Sequence, residues 1–142
     1  MKSILFYIIQ FTWALPVNLF GGIAYMLFRL IGMRQEKYHN AFITYIPLSQ
    51  HKGALTAGVF IFVSSADKPD RDYMERLIQH EYGHVYQSLI LGPLYWVLVG
   101  LPSFIWAQFF SKYREKQGVT YDALYCEKWA NYLGEKETGY RP

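Results

Sequence analysis

The sequence is poor in charged residues and nearly free of cysteine. Asp, Glu, Lys and Arg together make up 18% of the chain, whereas ordinary soluble domains contain about 25%. The net charge of +3 is small, and the sequence lacks the basic and aromatic pattern of nucleic-acid-binding proteins. We therefore expect no nucleic-acid partner. The single cysteine, Cys126, excludes a framework of internal disulfides.

Apolar and aromatic residues are abundant instead, and they are clustered. Hydrophobic residues account for 52% of the chain and aromatic residues for 19%. Residues 3–31 carry only one charge, that of Arg29, and about 20 mainly apolar residues are enough for a transmembrane helix. We therefore predict a membrane anchor over residues 1–34, a single helix kinked at Pro16. The alternatives are a signal peptide, for which no cleavage site of small residues is evident, and a buried helix.

The remainder of the chain, residues 35–142, is expected to form one domain. Residues 41–46 and 56–65 are rich in β-branched and aromatic side chains and predict two strands, paired as a hairpin or as neighbours. The polar residues 32–40 are typical of a linker. Helical patterns dominate after the strands, so the predicted fold class is α+β, mainly α.

The first helix after the strands is bounded by two local signals. Asp72 followed by Glu75 resembles a capping box, which opens a helix. Gly92 and Pro93 are expected to end that helix at about Leu91.

The most specific pattern of the sequence, H-E-Y-G-H at residues 80–84, lies within this predicted helix. At about 100° per residue, His80 and His84 lie about 40° apart, so both imidazoles can reach one point beside the helix. Glu81 is close enough to contact a water at that point but is turned away from direct ligation. This arrangement is the zinc site of H-E-x-x-H metalloproteases, in which the glutamate acts as general base. The alternative is a helix with two surface histidines.

A hydrolytic zinc site needs a third protein ligand, with one position left open for water. Glu127 is the best candidate, because mostly small residues lie three and four positions away on its face of a predicted last helix. Such a face allows close approach to another helix, and a carboxylate buried there needs a partner. The alternative is a partly exposed glutamate paired with Lys128. His39 and His51 lie in a linker and a turn, where solvated histidines are expected.

The motif at residues 80–84, together with C-E-K-W-A-N-Y-L-G at residues 126–134, resembles the gluzincins. These zinc metallopeptidases are defined by HExxH and a glutamate on a later helix. The resemblance implies a zincin-like active-site helix and a glutamate helix beside a small β-sheet. It also implies a Zn²⁺ cofactor held by His80, His84 and Glu127, with Glu81 as the catalytic base.

Two further expectations come from the same resemblance. In gluzincins an aspartate four residues after the glutamate ligand accepts a hydrogen bond from the first zinc histidine. Asn131 stands at that position here, and its amide oxygen can still accept the imidazole N–H, without contributing charge. The strand at residues 58–63 would be the sheet edge along which a peptide substrate lies.

A second apolar region occupies residues 89–110, which contain no charged residue. If Glu127 binds the same zinc ion as the histidines, this region crosses a membrane an even number of times, and it is too short to cross twice. We therefore expect an interfacial or re-entrant segment; packing as core is the alternative. Ser103 is the predicted N-cap of a helix within it. Thr120 and Gly134 are expected to bound the last helix.

The sequence therefore predicts a small, membrane-anchored zinc metallopeptidase. Its expected partners are a peptide or protein substrate and a lipid bilayer. Positive charges after the anchor (Arg29, Arg34 and Lys37) outnumber those before it (Lys2 and the amino terminus) by one, which favours a cytoplasmic catalytic part. One alternative is a non-catalytic membrane scaffold with a structural or vestigial zinc site, and another is a zinc hydrolase acting on other amides or on lipids.

Overall fold

A computed structural model of the protein describes residues 2–47, 53–64 and 70–139. These ranges are mainly helical and contain a small sheet, which confirms the predicted class. The helices are α1 (Ser3–Thr12), α2 (Leu15–Leu30), α3 (Arg71–Leu91), α4 (Leu101–Phe109), α5 (Ser111–Gln117) and α6 (Tyr125–Thr138). The strands are β1 (Arg34–Tyr38), β2 (Ala41–Ile46), β3 (Gly53–Ala57) and β4 (Phe60–Ser64).

The four strands form a mixed sheet in the order β1-β2-β4-β3. The central strands β2 and β4 run parallel, and each outer strand pairs antiparallel with its neighbour. Strand β1 lies where the sequence predicted a linker. The segment predicted as one strand, residues 56–65, instead reverses at Gly58, whose φ of +65° favours glycine. Strands β3 and β4 are the two arms of that reversal.

Helix α3 lies between the sheet and α6, and its packing against α6 is unusually close. A Cβ atom on Gly83 would lie 1.9 Å from the carbonyl oxygen of Ala130, and one on Gly134 would lie 2.3 Å from the carbonyl oxygen of Gln79. Both glycines are therefore required for the two helix backbones to approach as they do. This contact brings the H-E-Y-G-H segment beside α6.

The limits of these two helices agree only partly with the prediction. Helix α3 ends at Leu91, as predicted. Its N-cap is Asp70, whose side chain accepts a hydrogen bond from the Asp72 N–H, so the capping box predicted at Asp72 is wrong. Helix α6 continues past Gly134 to Thr138, and the next residue, Gly139, adopts the left-handed conformation suited to a helix end.

The prediction of a single helix over residues 1–34, kinked at Pro16, is wrong in its geometry, because two separate helices, α1 and α2, meet there at an angle of 97°. Buried amides stabilise the bend. Asn18 donates to the Gln10 side-chain oxygen at 2.7 Å and to the Ala14 carbonyl at 3.0 Å, and its own oxygen accepts from the Val59 N–H. These two amides replace the helical hydrogen bonds lost at the break and attach it to the sheet.

The second apolar region is also broken. A 3₁₀ turn at Gly92–Leu94 and a π-helical turn at Trp96–Gly100 follow α3 and lead into α4. Ser103 lies inside α4 and does not cap it, and the Thr120 side chain caps no helix. The first of these differences matters for the site described below.

No single helix in the described ranges is both long and apolar enough to cross a bilayer. Two pairs of consecutive helices are long and apolar enough to cross only when both helices of the pair are counted together, and each pair is sharply bent. One is α1 with α2, and the other joins Arg71–Leu94 to Trp96–Phe109 at an angle of 118°.

Candidate metal centre

The two histidines of α3 and the glutamate of α6 converge on one point. Glu127 Oε2 lies 3.0 Å from His80 Nε2 and 3.4 Å from His84 Nε2. Zinc binds nitrogen and oxygen ligands at about 2.0–2.2 Å, so the ligand atoms of a tetrahedral zinc site lie about 3.3 Å from one another. The observed separations are close to this value on both sides. The three side chains therefore fit a zinc ion, and the structure brings together the ligands expected from the sequence.

Side-chain amides orient both imidazoles. His80 Nδ1 lies 2.7 Å from Asn131 Oδ1, the contact that the resemblance implied. His84 Nδ1 lies 2.6 Å from Gln87 Oε1, and the Gln87 amide is fixed in turn by donating to the Cys126 carbonyl at 2.7 Å. Each Nδ1–H thus has an acceptor, which leaves each Nε2 to face the common point.

Glu81 lies beside this point, with its carboxylate held from the sheet. Ligand atoms of His80, Glu81 and His84 lie within 4.8 Å of one another. The Thr56 hydroxyl, on β3, donates to Glu81 Oε2 at 2.6 Å. Glu127 Oε2 lies 3.0 and 3.4 Å from the two imidazole nitrogens, so either carboxylate could complete a three-ligand set with the histidines. With Glu127 as that ligand, Glu81 would stand beside the open position, where a base can reach a water.

The carboxylate of Glu127 is completely buried and is held from two sides. While Oε2 faces the histidines, Oε1 accepts a hydrogen bond from the Ser103 hydroxyl on α4. Ser103 also lies 3.1 Å from the Tyr121 hydroxyl. One oxygen of Glu127 is therefore available to a metal, and the other is fixed by the protein.

Residues 95–109, here called the covering segment, lie over this side of the site. The Tyr95 hydroxyl donates to the Thr56 carbonyl at 3.2 Å, and Val99 is 1% exposed. Together with Ser103, these residues occur at intervals of four and form the inner face of the segment. His84 and Glu81 are each 5% exposed, so the site is largely enclosed, and the His80 side chain, at 16%, is its most open ligand.

Electrostatics couple the ligands when no metal is present. Burial opposes charge on His80, but its hydrogen bond with Glu127 and the nearby Glu81 raise its pKa to about 9. Burial likewise acts against a charged Glu127, but hydrogen bonds from His80, His84 and Ser103 hold its pKa well below the ordinary value. The metal-free site therefore contains an imidazolium–carboxylate pair at neutral pH, and a metal must displace the proton from His80 Nε2.

Other residues considered from the sequence lie outside the centre. His39 occupies the β1–β2 turn with φ of +50°, and its ring packs against Tyr38 and Tyr82. His51 lies outside the described residues. Burial and the adjacent Glu127 carboxylate raise the pKa of the Cys126 thiol to about 12, so this buried thiol stays protonated.

The expectation for the substrate strand is wrong. Residues 60–63 belong to β4, which is paired on both sides and has no free edge. The outer strand on the side of α3 is β3, which carries Thr56. The Thr56 carbonyl already accepts from Tyr95, so part of this edge is occupied by the covering segment.

Sequence reasoning missed three residues of the site, namely Thr56, Gln87 and Ser103. Gln87 follows His84 by three positions on one helix face, a spacing that could have identified it. Thr56 and Ser103 contact residues 25 and 24 positions away. No local signal predicts such pairs.

Comparisons of the chain with models of known families, with curated proteins and with solved structures find no match. The likeness to gluzincins therefore rests on the motif residues, and functional inference depends on the geometry of the site.

Proposed function

We propose that this protein is a zinc-dependent hydrolase that cleaves peptide bonds. The observation that carries the proposal is the convergence of His80 Nε2, His84 Nε2 and Glu127 Oε2 at separations of 3.0 and 3.4 Å. Two imidazoles and a carboxylate are a ligand set of catalytic zinc sites, which use three protein ligands and one open position. A fourth group, Glu81, stands next to that position without being required as a ligand.

The residues divide the chemistry between them. Bound zinc would supply a Lewis acid that polarises a carbonyl and acidifies water. Glu81 accepts the proton of the attacking water and passes it to the leaving amine. Thr56 fixes the orientation of Glu81 through a 2.6 Å hydrogen bond. Asn131 and Gln87 fix the histidine tautomers, so that neither imidazole has to reorganise during the reaction.

A structural zinc site is the second candidate, and the burial of the centre favours it. Glu127 is 0% and Glu81 5% exposed, and a structural site is closed by a fourth protein ligand. In that case Glu81 would be the ligand that closes the site, and the protein would be a scaffold rather than an enzyme.

Replacement of Glu81 by glutamine separates the two candidates. If the protein is a hydrolase, the Glu81→Gln variant should still bind zinc but should no longer cleave a mixed peptide library. Cleavage is detected by mass spectrometry of the new peptide termini. In a structural site, the same change weakens zinc binding, measured by competition with a chromophoric chelator. A wild-type protein that binds zinc and cleaves no peptide of the library, either free in solution or anchored to lipid vesicles, contradicts the peptidase proposal.

A further inference from the structure

The exposed large apolar side chains of the described residues are concentrated in two segments. Of the twenty-eight such side chains, thirteen lie in residues 4–31 and nine in residues 90–110. The six others are Leu55 and five tyrosines. Elsewhere the surface thus exposes mainly amphipathic tyrosine rings, whereas these two segments expose Leu, Ile, Val, Met, Phe and Trp. Exposed apolar patches of this kind mark interaction surfaces.

The two segments adjoin each other. Trp13 donates its indole N–H to the Ile90 carbonyl at 3.2 Å, and its ring packs on Gly92, where an added Cβ would lie 2.5 Å away. The rings of Phe20 and Trp96 meet edge to face, with centroids 5.5 Å apart. We call the combined exposed face of α1, α2 and the covering segment the apolar surface.

The shape of the apolar surface suits lipid. A groove of about 620 Å³ lies on it, lined by residues that include Leu19, Ile23 and Phe60. Helix α2, the longest straight element of the surface, has 16 residues, so it is about 24 Å long. That length is shorter than the roughly 30 Å hydrocarbon core of a bilayer.

The charge pattern distinguishes a bilayer from a protein partner. Residues 3–31 contain a single charge and residues 89–110 contain none. Basic residues stand at the ends of both segments: Lys2, Arg29, Arg34 and Lys37 flank the first, and Lys112, Arg114 and Lys116 follow the second. An uncharged face flanked by Lys and Arg is typical of elements that lie in the membrane interface.

From these observations we infer that the apolar surface inserts into one leaflet of a lipid bilayer without crossing it. No helix of the surface is long enough to cross alone, and bends of 97° and 118° prevent the members of each bent pair from lying end to end as one straight span. The occupant of the surface is therefore the acyl region of one leaflet.

This placement also puts the metal centre next to the bilayer. The covering segment has two faces: Ser103 contacts Glu127 on the inside, while Leu101 and Phe104 are 54% and 58% exposed on the outside. This position implies a substrate class, an inference that rests on the proposed function. The substrate would be a peptide segment presented at the membrane surface rather than a free peptide in solution.

Cysteine placement tests the insertion directly, because the native Cys126 is buried and the parent protein serves as the unlabelled background. Ile23→Cys and Phe104→Cys place a thiol on the apolar surface, and Leu55→Cys and Tyr132→Cys place one at similarly exposed positions elsewhere; the original side chains are 56%, 58%, 52% and 60% exposed. Each variant is labelled with an environment-sensitive fluorophore and reconstituted into phosphatidylcholine vesicles with brominated acyl chains. The first pair is expected to lose most of its fluorescence and the second pair almost none.

A second set of cysteines tests whether the segments cross. Lys2→Cys and Lys37→Cys flank the first segment, and Arg71→Cys and Lys112→Cys flank the second. In sealed vesicles of uniform orientation, a membrane-impermeant thiol reagent should label both members of each pair from one side. Labelling of the two members from opposite sides means that the segment spans, which overturns the inference.

Two more outcomes overturn it. One is equal quenching at the apolar surface and at the control positions. The other is a lipid-free dimer in which positions 23 and 104 are protected from labelling, since the surface would then be an interface between copies. Zinc content, measured on the same samples, separates the two proposals: zinc retained without quenching refutes only the bilayer inference, and quenching without zinc refutes only the hydrolase.

Discussion

The α3–α6 contact and the apolar surface are built on opposite principles. In the contact, buried polar side chains are paired: His80 with Asn131 and Glu127, and His84 with Gln87. The apolar surface consists of large side chains that contact little within the protein, such as Leu30, which is 79% exposed. The chain itself supplies the hydrogen-bond partners of the first region, which we propose to hold a metal ion, and we infer that the second is covered by a partner from outside.

This difference determines how each region should respond to substitution. A paired, buried group is costly to disturb, because its partner is left unsatisfied in a dry environment. An exposed apolar side chain can be replaced with little effect on folding, because its contribution is made to the external partner. The predictions below test this contrast, beginning with the largest expected effect.

Glu81→Gln should lower peptide hydrolysis by about 10²–10⁴-fold, because general acid–base catalysis contributes that much. Glutamine keeps the shape of the side chain and can still contact Thr56, so zinc content and thermal stability should remain close to wild type. Steady-state cleavage rates and zinc analysis on one preparation measure both. Activity that survives the substitution would remove Glu81 from the mechanism.

Gly83→Ala should destabilise the protein by about 1–3 kcal/mol, the usual cost of overpacking. The added Cβ would lie 1.9 Å from the Ala130 carbonyl oxygen, which forces α3 and α6 apart and separates the ligands. Thermal unfolding and zinc affinity should fall together. Gly53→Ala is the matched control, since nothing lies within 4 Å of its added Cβ, and a similar loss in the control would contradict the account of the helix contact.

Asn131→Ala should weaken zinc binding by about 10–100-fold, the usual effect of removing a hydrogen-bond partner of a ligating histidine. Asn131→Asp should restore affinity, because a carboxylate accepts the same imidazole N–H. Competition with a chelator gives the affinity, and Lys128→Ala, an exposed position on the same helix, is the control. Unchanged affinity in Asn131→Ala would show that His80 is oriented by other groups.

The stability of the metal-free protein should fall as the pH rises from about 7 to about 9. Because the pKa of His80 is raised to about 9 in the folded state, from about 6.5 when unfolded, the folded protein binds more protons in this window. The slope is at most about 1.4 kcal/mol per pH unit, and His80→Gln should flatten it. With zinc bound the trend should disappear, since the metal displaces that proton and the unfolded imidazole is already mostly deprotonated above pH 7. A metal-free protein whose melting temperature rises over this window would contradict the proposed imidazolium–carboxylate pair.

Leu30→Gln, on the apolar surface, should change zinc affinity and the free energy of unfolding in detergent by no more than about 0.5 kcal/mol. Detergent replaces the external partner in this measurement, so folding does not depend on the residue. A loss comparable to that of Gly83→Ala would mean that the surface is part of the core.

The sequence predicted which side chains meet between α3 and α6 better than the course of the chain around them. The proximity of His80, Glu81 and His84 follows from the period of one helix, and that of Glu127 from a face of small residues on another. The contact of Asn131 was implied by the resemblance to gluzincins. A kink was predicted at Pro16, close to the break after α1, but a 97° turn between two separate helices was not, because composition measures how apolar a segment is and not how its parts pack. Gln10 and Asn18, buried amides within the apolar run, form hydrogen bonds at that break only once the sheet is in place.

Ser103 is a second case in which the local sequence did not reveal a tertiary contact. A serine beside Gly100 and Pro102 has the local features of an N-cap, yet its hydroxyl binds a carboxylate on a helix 24 positions later. Tertiary contacts of this kind override capping preferences, because a buried carboxylate without a donor costs more than an uncapped helix end.

X-ray absorption at the zinc edge, on wild-type protein and on Glu127→Ala, tests the metal centre most directly. The wild type should retain about one zinc per chain through dialysis, with a first shell of two imidazoles and two oxygens at about 2.0–2.2 Å. Glu127→Ala should lose one of these oxygens and most of the affinity. A wild-type protein that retains no zinc, or a first shell unchanged by the substitution, would contradict a metal ion held between α3 and α6.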